Sequence, residues 1–142
     1  MKNFLYLFIV LVLILGCSSS KSIAPKEKEP PQKSDTVRIA NDSLAYEVVI
    51  IDPGFKTWLN SQAKPRGFYT EDYLEGRNRI YVTEWNNRVL QPHRFNPNLY
   101  EMQINYSNTI HYGYEVNYLI YNYFIYFQIT YKQQFAGFVP RP

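Results

Sequence analysis

A tyrosine-rich segment without basic side chains constrains the fold more than any other feature of this chain. From Phe95 to Tyr131 the sequence contains no Lys or Arg, and nine of its fourteen tyrosines lie there. The densest part, Tyr114–Tyr131, contains unbroken apolar runs, whereas a half-exposed strand would alternate apolar and polar residues. We therefore predict a long Tyr-rich C-terminal helix. A strand is the alternative, because Tyr, Phe and Ile have high β propensity.

The faces of this helix indicate which of its tyrosines could meet a ligand. In helical geometry Val116, Tyr123 and Phe127 fall on one inward stripe. Three tyrosines fall largely off that stripe, namely Tyr114, Tyr118 and Tyr121. Tyrosine can bury its ring with the hydroxyl at the edge of a core, stack on a glycan or peptide, or contact a membrane surface. We name these three tyrosines as candidate ligand-binding residues, with core packing and membrane contact as the alternatives.

The segments that precede the tyrosine-rich helix predict a small α+β domain. Leu44–Ile51 is rich in β-branched residues and ends at an Asp-Pro-Gly turn, so we expect a buried strand with Val37–Ala40 as a short partner. Phe55–Gln62 has the pattern of a short helix. An acidic first turn and apolar residues at helical spacings predict another helix from Glu71, or from Thr70, to about Leu90. The predicted fold is helix-dominated, with one or two N-terminal strands.

The N-terminus carries the pattern of an export signal. Lys2 precedes an apolar run from Phe4 to Leu15, which is shorter than the roughly 20 residues of a membrane-spanning helix. The sequence ILGC that ends at Cys17 resembles the lipobox of bacterial lipoproteins. This resemblance implies that Cys17 receives a diacylglycerol and palmitate-type acyl chains and becomes the new N-terminus. Because Ser18 follows rather than Asp, it also implies an address at the outer membrane, facing the periplasm.

These patterns divide the chain into a signal peptide (1–16), a lipidated cysteine with a flexible tether (17–36) and one globular domain (37–142). Ser, Lys, Glu and Pro dominate the tether, which cannot bury enough apolar surface to fold. The domain has ten basic and nine acidic residues, so it lacks the basic surface of a nucleic-acid binder. As partners we expect the membrane, through the lipid anchor, and an envelope protein or glycan, but no nucleic acid.

Most of the domain is similar to an uncharacterised family of bacterial lipoproteins, a domain of unknown function. The similarity lies in three stretches, which read YEVVIIDPGFKTWL, EWNNRVLQPHRFNP and YGYEVNYLIYNYFIYF. The resemblance implies a place in the cell envelope and assigns no catalytic residue.

The chain carries no sequence motif for catalysis. It has no phosphate-binding Gly-rich loop, no GxSxG elbow and no HExxH, and one cysteine excludes a zinc site of several thiolates. We therefore expect no cofactor, no metal and a non-catalytic binding or structural module. The alternative is a small envelope hydrolase in which His93 or His111 works with a carboxylate, that of Asp52 or Glu84.

Two acidic side chains have simpler structural interpretations. Asp52 stands before Pro-Gly and the short helix, so we predict that its side chain caps that helix. Glu84 and Arg88 are one turn apart on the long predicted helix, so we predict an ion pair on a solvated face.

Overall fold

The computed structural model describes residues 36–139 and 141–142, which form two strands and three α-helices. Strands β1 (Thr36–Asn41) and β2 (Tyr46–Ile51) are followed by helices α1 (Phe55–Ser61), α2 (Glu71–Val89) and α3 (Tyr114–Thr130). This order confirms the predicted α+β class. The predicted signal peptide, Cys17 and the tether up to residue 35 lie outside the described residues. Along the described part of the chain, no helix combines the length and apolar character needed to cross a bilayer.

The two strands form an antiparallel hairpin that packs one face on the helices. Ile39 pairs with Val48, and both side chains lie on the inner face. The predicted strand pair is confirmed, but the expectation of a buried β2 was wrong for its outer face, where Val49 and Ile51 are exposed. The reason is that, within the described residues, the sheet has two strands and its outer face has no second layer over it.

Helix α1 begins at the Asp-Pro-Gly turn. Gly54 adopts a φ of +90°, where a side chain would be strained, and a Cβ there would lie 3.3 Å from the Tyr126 hydroxyl. The backbone carbonyl of Asp52 accepts a hydrogen bond from the Phe55 amide at 3.1 Å, but no side chain caps the helix. The predicted cap by the Asp52 side chain is therefore wrong, and its carboxylate is bonded elsewhere.

Helix α2 has the start and end that its sequence predicts. Thr70 Oγ1 accepts a hydrogen bond from the Tyr73 amide at 3.3 Å. Glu71 and Asp72 occupy the first turn, where the positive end of the helix dipole favours acidic side chains. The helix ends at Val89, before a turn that contains proline.

Helix α3 runs through the core of the domain. Twelve of its seventeen residues are buried, and α1, α2 and β1 all pack against it. This burial accounts for the absence of Lys and Arg from α3, because burying an unpaired charge costs free energy. It also contradicts the predicted outward position of two tyrosines, since Tyr118 is 4% exposed and Tyr121 is 2% exposed. A helix that is covered around most of its circumference has no solvent-facing stripe for helical periodicity to reveal.

Candidate functional site

A groove of about 740 Å³ runs along the whole length of β2. One wall is β2 with the turn that follows it, and the other wall is the loop formed by residues 98–105. The floor consists of side chains from α2 and α3, namely Trp85, Ile120, Tyr123, Phe124, Phe127 and Tyr131. The volume falls within the range of about 300–1,000 Å³ that is typical of ligand-binding clefts.

The loop wall of the groove is fixed to helix α2 by three hydrogen bonds. The side-chain amide of Asn86 donates to the Ile104 carbonyl at 3.0 Å and accepts from the Ile104 amide at 2.8 Å. The indole nitrogen of Trp85 donates to the Met102 carbonyl at 2.9 Å. Because these bonds join the wall to a regular helix, the groove is preformed rather than assembled around a ligand.

The backbone of β2 presents a free edge to the groove. One edge of β2 pairs with β1, and no β1 residue lines the groove, so the groove lies at the opposite edge. Within the described residues, no hydrogen bond from another backbone segment reaches Tyr46–Ile51 at that edge. The Tyr46 hydroxyl donates to the Asn105 carbonyl at 2.9 Å and closes one end of the groove.

At the other end of the groove, the carboxylate of Asp52 is surrounded by tyrosine hydroxyls. Tyr126 and Tyr131 donate to Oδ1 at 3.2 and 3.1 Å, and Tyr123 donates to Oδ2 at 3.4 Å. Asp52 is 7% exposed. In the part of the chain that the structure describes, Asp52 has no Lys, Arg or His within ion-pair distance.

The three hydroxyls around Asp52 act as hydrogen-bond donors. Burial, and after it the interaction with Asp52, raises the pKa of Tyr126 to about 12. The same two causes raise the pKa of Tyr123 and Tyr131. Because all three stay protonated at neutral pH, the cluster presents one fixed carboxylate to the groove within an aromatic surrounding.

The charged residues that line the groove are all acidic, namely Glu47, Asp52 and Glu101. Glu47 pairs with Arg38 on the outer face of the hairpin. Asp52 and Glu101 make no ion pair with any described residue. A surface of aromatic rings and carboxylates attracts cationic groups, both by Coulomb interaction and by contact with the ring faces.

The three tyrosines predicted to bind a ligand lie away from this groove. Tyr114 accepts a hydrogen bond from the Gly67 amide at 2.7 Å, and Tyr118 donates to the Lys64 carbonyl at 2.7 Å. The buried Tyr121 packs against the rings of Tyr69 and Tyr73. These contacts fasten the connection between α1 and α2 onto α3. Ligand binding by the three tyrosines stays a prediction.

The tyrosines around Asp52 escaped sequence analysis because they are distant in the chain. Tyr123, Tyr126 and Tyr131 follow Asp52 by 71, 74 and 79 residues. Two partial signals were present, the acidic residue directly after a strand and the tyrosines on the last turns of a predicted helix. Neither signal indicates that Asp52 contacts these tyrosines, because that contact depends on how the helix packs against the hairpin.

The hydrolase alternative requires His93 or His111 beside Asp52 or Glu84, and neither pairing occurs among the described residues. His111 Nδ1 lies instead 3.3 Å from Oε1 of Glu75, a buried carboxylate, while the imidazole itself is exposed. His93 is exposed in the turn after α2. In residues 36–139 and 141–142, no three His, Cys, Asp or Glu side chains are grouped to hold a metal ion.

Arg88 forms the predicted pair with Glu84 at 2.8 Å, but not on a solvated face. The residue is 8% exposed, and its guanidinium donates to the Tyr100 hydroxyl at 2.8 Å and to the Gln134 carbonyl at 2.5 Å. It also lies 4.8 Å from the centre of the Phe135 ring. The prediction failed because the segment after α3 folds back over this side of α2, which the pattern of α2 does not reveal. Arg88 is therefore structural, and it joins α2 to the C-terminal segment.

The fold defines a small α+β domain, in which a central aromatic helix supports a two-stranded hairpin with one free edge. Residues 5–139 match the model of a protein family described as "Family of unknown function (DUF6146)", so the chain belongs to that family. No curated protein and no solved structure matches the chain.

Proposed function

We propose that this chain is a lipid-anchored lipoprotein of the bacterial cell envelope, and that its domain is a non-catalytic binding module. The ligand site of the module is the groove along β2. The anchor is Cys17, and the domain faces the periplasm from the outer membrane.

The sequence supports the anchor. A short apolar run is followed at once by ILGC, and Cys17 is the one cysteine of the chain. An apolar run of this length suits a signal peptide rather than a membrane span. Acyl chains on Cys17 would hold the protein at the bilayer, since each buried methylene contributes about 0.8 kcal/mol and two or more chains anchor stably.

One observation carries the binding role, which is the preformed groove with an acidic lining. Trp85 and Asn86 fix the loop wall, and β2 supplies the opposite wall. The buried Asp52 faces this groove and has no cationic partner among the described residues. A buried carboxylate is usually paired with a cation, so a ligand that supplies one would complete the site.

Replacing the anchor residue tests the first half of the proposal. The variant Cys17→Ser should lose incorporation of labelled palmitate, because the thiol is the atom that accepts the lipid. It should also accumulate as an unprocessed precursor, measured by mass spectrometry of the purified chain. Ser19→Ala is the matched control and should be labelled as the parent is. Equal labelling of Cys17→Ser and parent contradicts the lipoprotein assignment.

Capture from envelope extract tests the second half. Met102 is 72% exposed on the rim of the groove, and Leu90 is a comparably exposed apolar residue outside it. Met102→Arg should reduce the amount of envelope protein or glycan captured by the immobilised chain, because its positive charge opposes the acidic lining, whereas Leu90→Arg should not. Captured material is identified by mass spectrometry of protein and glycan. If both variants capture the same material in the same amount, the groove is not the binding site.

A further inference from the structure

Resting on the proposed function, we infer that the groove binds an extended peptide segment of an envelope protein. The peptide pairs with the free edge of β2 and places one Lys or Arg side chain against Asp52. The inference names both the class of ligand and its mode of binding.

The free edge of β2 supplies the backbone recognition. Every residue of β2 lines the groove, and the strand rises about 3.3 Å per residue, so its six residues offer an edge of about 20 Å. Among the described residues, the loop wall makes no backbone hydrogen bond to this edge. A strand edge with free N–H and C=O groups is a template for pairing, which is the basis of peptide recognition by strand addition.

The floor of the groove supplies contacts for alternate side chains of such a peptide. Successive side chains of a strand point to opposite faces, so every second residue of the added strand would face the rings of α3. The inner face of β2 has this same arrangement, since Val48 and Ile50 already pack against the core while Val49 and Ile51 face outwards. The added strand would extend the pattern of the hairpin by one strand.

Charge complementarity selects a basic peptide. The lining contains no Lys or Arg, and of its three carboxylates Glu47 already pairs with Arg38. Asp52 and Glu101, which stands on the wall opposite β2, make no ion pair with any described residue. The Tyr126 hydroxyl lies closer to the Pro53 carbonyl, at 2.6 Å, than to Oδ1 of Asp52, at 3.2 Å. Tyr123 and Tyr131 are therefore the main donors to a carboxylate that has about four acceptor positions. One acceptor position is thus available to an ammonium or guanidinium group. The adjoining rings of Tyr123 and Tyr131 offer faces for the same cation.

A glycan would use the groove differently and is the competing occupant. Sugar rings stack on exposed aromatic faces and need several polar partners around each ring. Here Trp85 and Phe127 are buried in the floor, and the unpaired strand edge is a linear array of alternating donors and acceptors. That array matches the repeat of an extended peptide backbone.

A random dodecapeptide library displayed on phage provides the probe, and the full chain purified from membranes in detergent is the target. Trp85 in the floor reports binding of the selected synthetic peptides through its fluorescence. Trp58→Phe removes the other tryptophan, which does not line the groove, and should leave the signal in place. We expect selected peptides to share one Lys or Arg and β-branched residues at alternate positions. Replacing that basic residue with Gln should weaken binding by about tenfold.

Backbone methylation of the selected peptide tests strand pairing without changing the protein. N-methylation at alternate residues removes the donors on one edge of the peptide. Methylation on the edge that faces β2 should abolish binding, and methylation on the opposite edge should leave it within about twofold. Equal effects of the two methylated peptides would overturn the strand-addition mode.

Two protein variants test the role of charge. Asp52→Asn keeps the shape of the side chain and removes its charge, so the preference for Lys over Gln in the peptide should disappear. Asp72→Asn, an exposed residue outside the groove, is the matched control. Glu101→Gln changes an exposed side chain on the groove wall and should weaken binding of the basic peptide even if Asp52→Asn fails to fold.

The outcomes separate this inference from the proposed function. Selected peptides without a shared basic residue, no selected peptide at all, or displacement of the peptides by peptidoglycan fragments would overturn the inference. In each of these cases the proposed function still stands if Met102→Arg reduces capture from envelope extract. If Met102→Arg changes nothing and Cys17→Ser is still labelled, the proposed function fails as well.

Discussion

At the scale of single residues, several polar side chains in the core have a specific partner across the fold. Arg88 on α2 contacts the C-terminal segment, and Asn78 donates from α2 to the Asn117 carbonyl of α3 at 3.0 Å. Such contacts satisfy buried polar groups that would otherwise cost about 1–3 kcal/mol each. These hydrogen bonds also fix the rotation of each helix about its axis relative to its neighbours. Apolar packing alone fixes that rotation less strongly.

We predict that Arg88→Ala lowers the free energy of unfolding by about 3 kcal/mol. The substitution removes the donors to the Gln134 carbonyl and to the Tyr100 hydroxyl, which keeps only its bond to Gln133, and it removes packing against Phe135. Urea unfolding followed by circular dichroism measures the change. Arg94→Ala is the matched control, since Arg94 is exposed and lies 5.3 Å from the centre of the Phe95 ring. The control should lose less than about 1 kcal/mol. Similar losses in both variants would show that Arg88 has no structural role.

At the scale of elements, local signals predicted which segments form helices and strands. The Thr70 cap, the acidic first turn of α2 and the turn residues around β2 all act within a few residues, so the sequence displays them. The orientation of α3 was not predictable in the same way. Its polar residues Asn117, Asn122 and Gln128 are buried with local or cross-helix hydrogen bonds, so polarity did not mark an exposed face.

The groove could not be predicted because it belongs to no single element. Asp52 follows β2, its tyrosine partners lie on and just after α3, and the opposite wall is the loop before α3. Pairing these segments requires the docking geometry of the helices. The sequence did indicate two components of the site, which are an acidic residue after a strand and an aromatic helix without basic side chains.

Alanine substitutions along α3 test its burial. Tyr121→Ala and Phe127→Ala should each lower the free energy of unfolding by about 3–5 kcal/mol, because both side chains are 2% exposed. Ile129→Ala is the control, since Ile129 is 42% exposed at the end of the same helix, and its loss should stay well below that range. Thermal and urea unfolding provide the measurement. A small loss at Tyr121 beside a large loss at Phe127 would restore the predicted outward face.

At the scale of the whole molecule, tyrosine replaces leucine as the main core residue of the described domain. Tyr81, Tyr100, Tyr112 and Tyr121 all belong to one buried cluster with Phe124 and Phe127. Tyrosine buries a large ring and still carries a hydroxyl that must find a partner. The consequence for stability is a sensitivity to alkaline pH that a core of leucine and valine would not have.

Burial is the leading cause that raises the pKa of Tyr46, Tyr106 and Tyr126 to about 12, against about 10 for an exposed tyrosine. Because the folded state favours the neutral phenol, this stabilisation is complete below about pH 10 and is lost as the pH rises towards 12. We predict that the urea midpoint falls through this interval while tyrosinate absorbance rises cooperatively with unfolding. Lysines also titrate there, so the difference between the parent and Tyr106→Phe isolates one tyrosine, and the variant should lose less stability. Gradual, non-cooperative titration in a chain that stays folded would show that these hydroxyls are accessible to solvent.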